Sequence, residues 1–161
     1  MQIGIDTLVI LGLLDSQDVW HTPAVNLQRV MAAAGLEPVY FDCTLAEAIS
    51  AMARRLREKH REVELPALLD RLLADFPAEA ITWILPDVPR LYSQVMELIR
   101  SSAGELNFND GLIALACRER SISALASFDR DFDSISWLIR VAVPEDVEAW
   151  LAANEKPTPD E

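Results

Sequence analysis

The residues of this sequence that could do chemistry are mostly carboxylates. Asp110 lies in Asn107-Phe108-Asn109-Asp110-Gly111-Leu112-Ile113-Ala114-Leu115-Ala116-Cys117, and Asp129 in Ser127-Phe128-Asp129-Arg130-Asp131-Phe132. The first stretch opens a helix: Asn107 or Asn109 can cap the free N–H groups, Asp110 falls in the first turn, and Leu112, Ile113, Ala116 and Cys117 form an apolar stripe. The second follows a short buried strand expected over residues 122–126. Asp6 ends another strand expected over 2–5. Glu47 stands three residues after Thr44, at capping-box spacing, where a long helix opens. An acid at a helix start and an acid at a strand end can meet at one edge of a parallel sheet, the edge where open α/β folds place their chemistry.

Taken singly, each acid is better explained by structure. Asp6 can cap a helix, Glu47 can close the box with Thr44, Asp110 can favour its helix dipole, and Asp129 can form a turn with Arg130. Taken together they say more. With parallel strands all four junctions share one end of the sheet, and four carboxylates gathered there repel strongly unless a cation joins them. Hard oxygen donors with no Cys or His beside them specify Mg²⁺ or Mn²⁺ rather than zinc. A cation of that kind polarises a phosphoryl oxygen and acidifies a bound water.

The elements that must position these acids alternate. After the first strand, residues 8–14 read as a helix and 15–22 as a polar loop. A helix from Pro23 to about Ala34 is ended by Gly35. A strand is expected over 39–43, and a helix from Thr44 to about Arg61. Further helices are expected over 66–76, 89–101 and 107–121, an edge strand over 137–143, and a last helix over 144–153. Residues 81–85 read as strand or loop, and 61–90 bear no motif. Strands alternating with helices predict an α/β fold, a three-layer α/β/α sandwich with a central, mostly parallel sheet. Residues 1–153 are expected to form a single domain, and 154–161, rich in Pro and acid, a disordered tail.

Composition narrows the function further. The 161 residues suffice for one ordinary core, and a 51% apolar content excludes a largely disordered chain. No apolar run approaches the roughly 20 residues of a membrane span, and the N-terminus lacks a signal-peptide pattern. Cys43 and Cys117, far apart in apolar surroundings, read as free buried thiols of a cytoplasmic protein. A net charge of -12 excludes a non-specific nucleic-acid coat protein, while a metal site and a local basic strip could still serve a nuclease. Arg54, Arg57 and Arg61 share a helix face at i, i+3 and i+7 and are candidate RNA contacts; a solvated face paired with Glu58, Glu62 and Glu64 is the competing reading. His21 and His60 read as loop or surface residues, and Trp83, Trp137 and Trp150 as core or interface packing. Trp20 is the one aromatic expected exposed near the first acid. No Gly-rich phosphate loop is present, which excludes P-loop nucleotide hydrolysis.

The stretches Ile3-Gly4-Ile5-Asp6-Thr7, Thr44-Leu45-Ala46-Glu47, Phe108-Asn109-Asp110-Gly111-Leu112-Ile113-Ala114 and Ser127-Phe128-Asp129-Arg130-Asp131-Phe132 resemble, in this order and spacing, those of the PIN-domain nucleases. The likeness is to the VapC-type toxins of toxin–antitoxin modules in particular. The last two stretches are the specific ones, and the resemblance covers nearly the whole chain. It implies a metal-dependent endoribonuclease using Mg²⁺ or Mn²⁺, with Asp6, Glu47, Asp110 and Asp129 as catalytic and metal-binding acids. It also implies supporting roles for Thr7, Ser127 and the outer acid Asp131. The implied partners are an RNA substrate, a cognate antitoxin and a second copy of the chain. The family often has Asn or Ser two positions after the first Asp. Here Leu8 stands there, so a hydrogen bond that orients Asp6 is missing or comes from Thr7. Two other functions compete: a PIN-fold RNA-processing or RNA-binding protein with weak or no nuclease activity, and a receiver-like phosphoacceptor built on Asp6. The second needs a lysine at a late strand end, and the lysines are Lys59 on a helix and Lys156 in the tail.

Overall fold

The computed structural model describes residues 1–154. Strands β1 (Gln2–Ile5), β2 (Glu37–Phe41), β3 (Ile81–Thr82), β4 (Ala124–Ala126) and β5 (Ile139–Val141) form one sheet in the order β3-β2-β1-β4-β5. All its pairings are parallel. Helices α1 (Thr7–Leu14), α2 (His21–Ala33), α3 (Asp42–Glu58) and α4 (Leu65–Asp75) pack mainly on one face. Helices α5 (Val88–Ser101) and α6 (Phe108–Glu119) cover the other, and α7 (Pro144–Asn154) returns to the first. The expected three-layer α/β/α architecture is therefore present.

Alternation along the strands divides the core in two. Ile3 and Ile5 of β1, with Ala124 and Ala126 of β4, face the first set of helices, while Val39, Phe41 and Leu125 face the second. Gly4 faces α6. A Cβ there would lie 2.9 Å from Leu125 Cδ1 and 3.2 Å from Cys117 Sγ, so glycine lets the helix close on the central strand. Gly12 does the same between α1 and α2, where a Cβ would meet the Trp20 carbonyl oxygen at 2.6 Å and Ala24 Cβ at 2.8 Å. Residues 110–117 of α6 are all buried, which fixes the start of that helix against the sheet edge.

Local chemistry moved several boundaries. The second strand ends at Phe41 rather than residue 43, because Asp42 starts α3 with its carboxylate accepting the N–H groups of Cys43 (2.9 Å), Ile84 (3.0 Å) and Leu85 (3.0 Å). Thr44 therefore lies inside the first turn, its hydroxyl donating to the Phe41 carbonyl at 2.6 Å. No capping box joins it to Glu47. Helix α3 stops at Glu58, short of Arg61, with His60 in the left-handed region at φ 56°. Helix α2 begins at His21 because Asp15 and Asp18 accept the N–H groups two residues on, from Gln17 and Trp20, at 3.0 Å each and turn the chain early. Within 81–85 only Ile81–Thr82 pairs, and the strands expected over 122–126 and 137–143 shorten to three residues each. Asn154 closes α7, and the rest of the expected tail, 155–161, lies outside the described residues. Both cysteines are buried and free, their thiols pushed up to about 12 by burial. No helix among the described residues is long and apolar enough to cross a membrane.

Candidate active site

The sheet order reverses between β1 and β4: the chain leaves β1 toward β2 and β3, then crosses to β4 and β5 on the other side. Such a reversal opens a crevice at the carboxyl ends of the two central strands, where open α/β sheets bind their ligands. Asp6 follows β1 directly. Its N–H donates to the Ala126 carbonyl at 3.0 Å, carrying the β1–β4 pairing one residue further. It occupies the N-cap position of α1, but its side chain makes no cap hydrogen bond, so the capping explanation does not hold. Instead the Ser127 hydroxyl donates to Asp6 Oδ2 at 2.6 Å and accepts the Asp129 N–H at 3.0 Å. One buried hydroxyl thus ties the first acid to the last. Burial pushes the Asp6 carboxyl up to about 7; the Ser127 and Thr7 hydrogen bonds oppose this, and Asp110 and Glu47 add smaller repulsions.

Asp110 enters from the start of α6. Here a complete capping box forms: Asn107 Oδ1 accepts the Asp110 N–H at 3.1 Å, and Asp110 Oδ2 accepts the Asn107 N–H at 2.8 Å. The residue is therefore a structural cap and also a neighbour of the other acids. Burial first, then repulsion from Asp129, Glu47 and Asp131, raises its carboxyl to about 6 against the opposing Asn107 bond. Unlike Asp6, it begins a helix that follows another helix rather than a strand.

Glu47 reaches the cluster from the second turn of α3. Its Oε2 accepts from the Thr7 hydroxyl and the Asn109 amide, each at 3.3 Å. Thr7 therefore orients Glu47, and Ser127 supplies the Asp6 bond that Leu8 cannot; Leu8 packs against the apolar core. Asn109 was legible only as a capping candidate, since nothing in the sequence joins it to Glu47. Asp129 Oδ1 accepts the Asp131 N–H at 3.0 Å in a tight turn, and Asp131 stands half-buried within repelling reach of Asp110.

A common pattern runs through the four acids. Asp6, Glu47, Asp110 and Asp129 each have one carboxylate oxygen fixed by a donor of the chain. The other oxygen of Glu47, Asp110 and Asp129 accepts no hydrogen bond among the described residues, while Asp6 also takes a weaker backbone contact from Thr7. No salt bridge reaches any of the four among those residues. No three acids among them stand close enough to hold an ion in common. The donor set is all oxygen. It suits a small hard cation that keeps several waters and takes only one or two carboxylates directly, as Mg²⁺ does.

The basic strip is placed differently from expectation. Arg54 and Arg57 are exposed on α3 and make no salt bridge among the described residues. Arg61 lies beyond the helix end and is committed to Asp15 at 2.9 Å and Glu64 at 2.6 Å, so it does not continue their face. His21 is not a free loop residue: its Nδ1 lies 2.7 Å from the Gly12 carbonyl oxygen. Trp150 is buried, and Trp137 is half-buried under the Arg118 guanidinium, 4.7 Å from the ring centre. Trp83 is exposed, while Trp20 stacks on Phe128.

The model of the PIN domain family matches residues 4–138. Among solved structures, the VapC20 toxin of Mycobacterium tuberculosis, described as a sarcin–ricin loop cleaving toxin, superposes with a TM-score of 0.63. The match has 20% sequence identity and covers 84% of this chain and 96% of that one. No curated protein matches the sequence.

Proposed function

The chain belongs to the PIN domain family, and from that premise we propose that it is an endoribonuclease that hydrolyses RNA phosphodiester bonds with a divalent cation, Mg²⁺ or Mn²⁺. The observation that carries this reading is the half-satisfied state of the four acids at the β1–β4 crevice. Each carboxylate is held chiefly through one oxygen, and among the described residues no cationic side chain pairs with it. When bound there, a divalent cation would offset the clustered charge, polarise a phosphoryl oxygen and supply an acidified water.

The chain's own residues do the positioning. Ser127 fixes Asp6 and, through the Asp129 N–H, sets the spacing of the first and last acids. The Asn107 cap locks Asp110 against the start of α6, and Thr7 with Asn109 steers Glu47 inward. Asp131 adds negative potential at the rim. A group fixed through one oxygen loses little further freedom when the other is engaged, which is the physical content of preorganisation. Cys43 offers no thiolate, since its thiol is pushed up to about 12. No histidine pair stands ready for cleavage through the 2′-hydroxyl. Hydrolysis by water therefore predicts 5′-phosphate ends.

The likeness to the VapC20 toxin, spanning most of both chains, supports a narrower form of the proposal. In it the protein is the toxin of a toxin–antitoxin pair, built on one domain over residues 1–153 and held by a cognate antitoxin. Two free buried thiols suit a reducing cytoplasm. The exposed apolar residues Trp83, Leu85, Tyr92 and Met96 support a homodimer. The test of the chemistry is incubation of the purified protein with structured RNAs, the sarcin–ricin loop among them, in Mg²⁺, Mn²⁺ or EDTA, followed by end-group analysis. Cation-dependent cleavage leaving 5′-phosphates is expected. Cleavage that persists in EDTA or leaves cyclic 2′,3′-phosphates would overturn the proposal.

A further inference from the structure

Beside the acids lies a groove of different character. A cavity of about 400 Å³ is lined by Trp20, Pro23, Phe128, Arg130, Arg140 and Asp146, among others. Phe128 sits between Ser127 and Asp129, so the groove begins one residue from the acid cluster. Trp20 and Phe128 stack with ring centres 4.6 Å apart and planes 10° from parallel. Both are half-buried, leaving part of the pair facing the groove.

The aromatic pair is held in place rather than loosely exposed. The Trp20 backbone lies against Gly12, its N–H donates to Asp18 Oδ1 at 3.0 Å, and Asp18 pairs with Arg55 of α3. The charges around it are mostly committed. Arg140 pairs through two nitrogens with Asp133, at 2.6 and 3.1 Å. Asp146 accepts the N–H groups of Ala142 and Val143 at 2.8 and 3.1 Å. Asp133 is held below the usual carboxylate range chiefly by Arg140, with a smaller contribution from Arg130. Arg130 itself is exposed and makes no salt bridge or hydrogen bond among the described residues.

We propose that this groove is a subsite for the single-stranded RNA that flanks the cleaved bond, a nucleobase stacking on the Trp20–Phe128 pair while a neighbouring phosphate meets Arg130. The inference rests on the ribonuclease reading and adds to it where the strand runs. An aromatic face accepts any base, and an uncommitted arginine beside it offsets the repulsion that a chain of net charge -12 exerts on nucleic acid. An acidic cluster alone would push the strand away. The groove supplies attraction at the adjoining position, on a rigid support.

Binding of a fluorescein-labelled, unstructured RNA oligonucleotide to the full chain tests this. It is followed by anisotropy at low salt in EDTA, so that cleavage plays no part. Trp20→Leu and Arg130→Gln should each weaken binding about tenfold, and Trp20→Phe, which keeps a stacking face, should bind within about twofold of the natural chain. Across a salt series Arg130→Gln should lower the slope of log affinity by about one, while Trp20→Leu leaves the slope unchanged, a split that a merely structural role would not produce. Unchanged affinity in both variants, or no RNA binding by the natural chain, overturns the subsite. The first of these results would leave the groove to a protein segment. The nuclease reading is judged separately by cation-dependent cleavage, which survives a failure of the groove.

Discussion

Two groups of acids in this molecule have opposite surroundings. At the far end of α1, Asp15 and Asp18 meet arginines of the chain itself: Arg61 bonds Asp15 through two nitrogens at 2.9 and 3.0 Å and also Glu64, while Arg55 pairs with Asp18. Arg61 holds both the Asp15 and Glu64 carboxyls below their ordinary range. At the β1–β4 crevice, Asp6 and Asp110 have no such partner among the described residues, and burial with neighbouring acids holds them well above it. The first group is complete within the chain and locks the α1–α2 loop to α3 and the segment after it. The second has no opposite charge of the chain beside it among the described residues, and under the proposed function a divalent cation would supply it. Among the described residues, carboxylates of the same type thus differ in whether the chain supplies the opposite charge. Asp42 marks the boundary between the two. It stands at the same sheet edge as the second group, yet its carboxylate is filled by three backbone N–H groups.

The sharpest break of this comparison is Asp110→Asn. It keeps an oxygen able to accept from Asn107 but removes a charge from the cluster. RNA cleavage should fall about 10²-fold or more, with near-normal folding by circular dichroism. Arg61→Gln should do the reverse. It should cost about 1–2 kcal/mol in denaturant unfolding, a figure reduced for partial solvent access, and leave the cleavage rate of the folded protein close to normal. A large loss of cleavage in Arg61→Gln would erase the distinction.

The two groups should also give opposite pH dependence. Asp6 and Asp110 bind protons more tightly in the folded chain, at about 7 and about 6 against an ordinary 3.8. In the absence of a cation their contribution to stability therefore falls as pH rises from near 4 toward 7, then levels off. Asp15 and Glu64 are held low, so their contribution is present above the ordinary carboxylate range and lost as pH falls through it. Melting curves in EDTA should show the cation-free chain losing stability between about pH 5 and pH 7, with Asp110→Asn flattening part of that loss. The smallest effect expected is a rise in melting temperature on adding Mg²⁺ near neutral pH, absent in Asp110→Asn.

Much of this arrangement was legible in the sequence, because residue type and local spacing carry it. The stretches around Asp110 and Asp129 announced a helix start and a strand end, and parallel strands bring such positions to one edge. What was missed depends on contacts between distant parts of the chain. The early end of β2 follows from Asp42 reaching Ile84 and Leu85 across the sheet edge, so the spacing of Thr44 and Glu47 gave a false capping box. The arginine strip assumed an unbroken helix, and the left-handed turn at His60 has no glycine to signal it. The placement of Trp20 follows from its stacking on Phe128, to which nothing local points.

The central claim is that the crevice acids take their missing charge from a divalent cation. Titration of the full chain with Mn²⁺, reading the free ion by electron paramagnetic resonance, addresses it most directly. Saturable uptake is predicted for the natural chain and for Arg61→Gln, with affinity at least about tenfold weaker in Asp110→Asn. Uptake unaffected by Asp110→Asn, or no uptake by the natural chain, would contradict the claim.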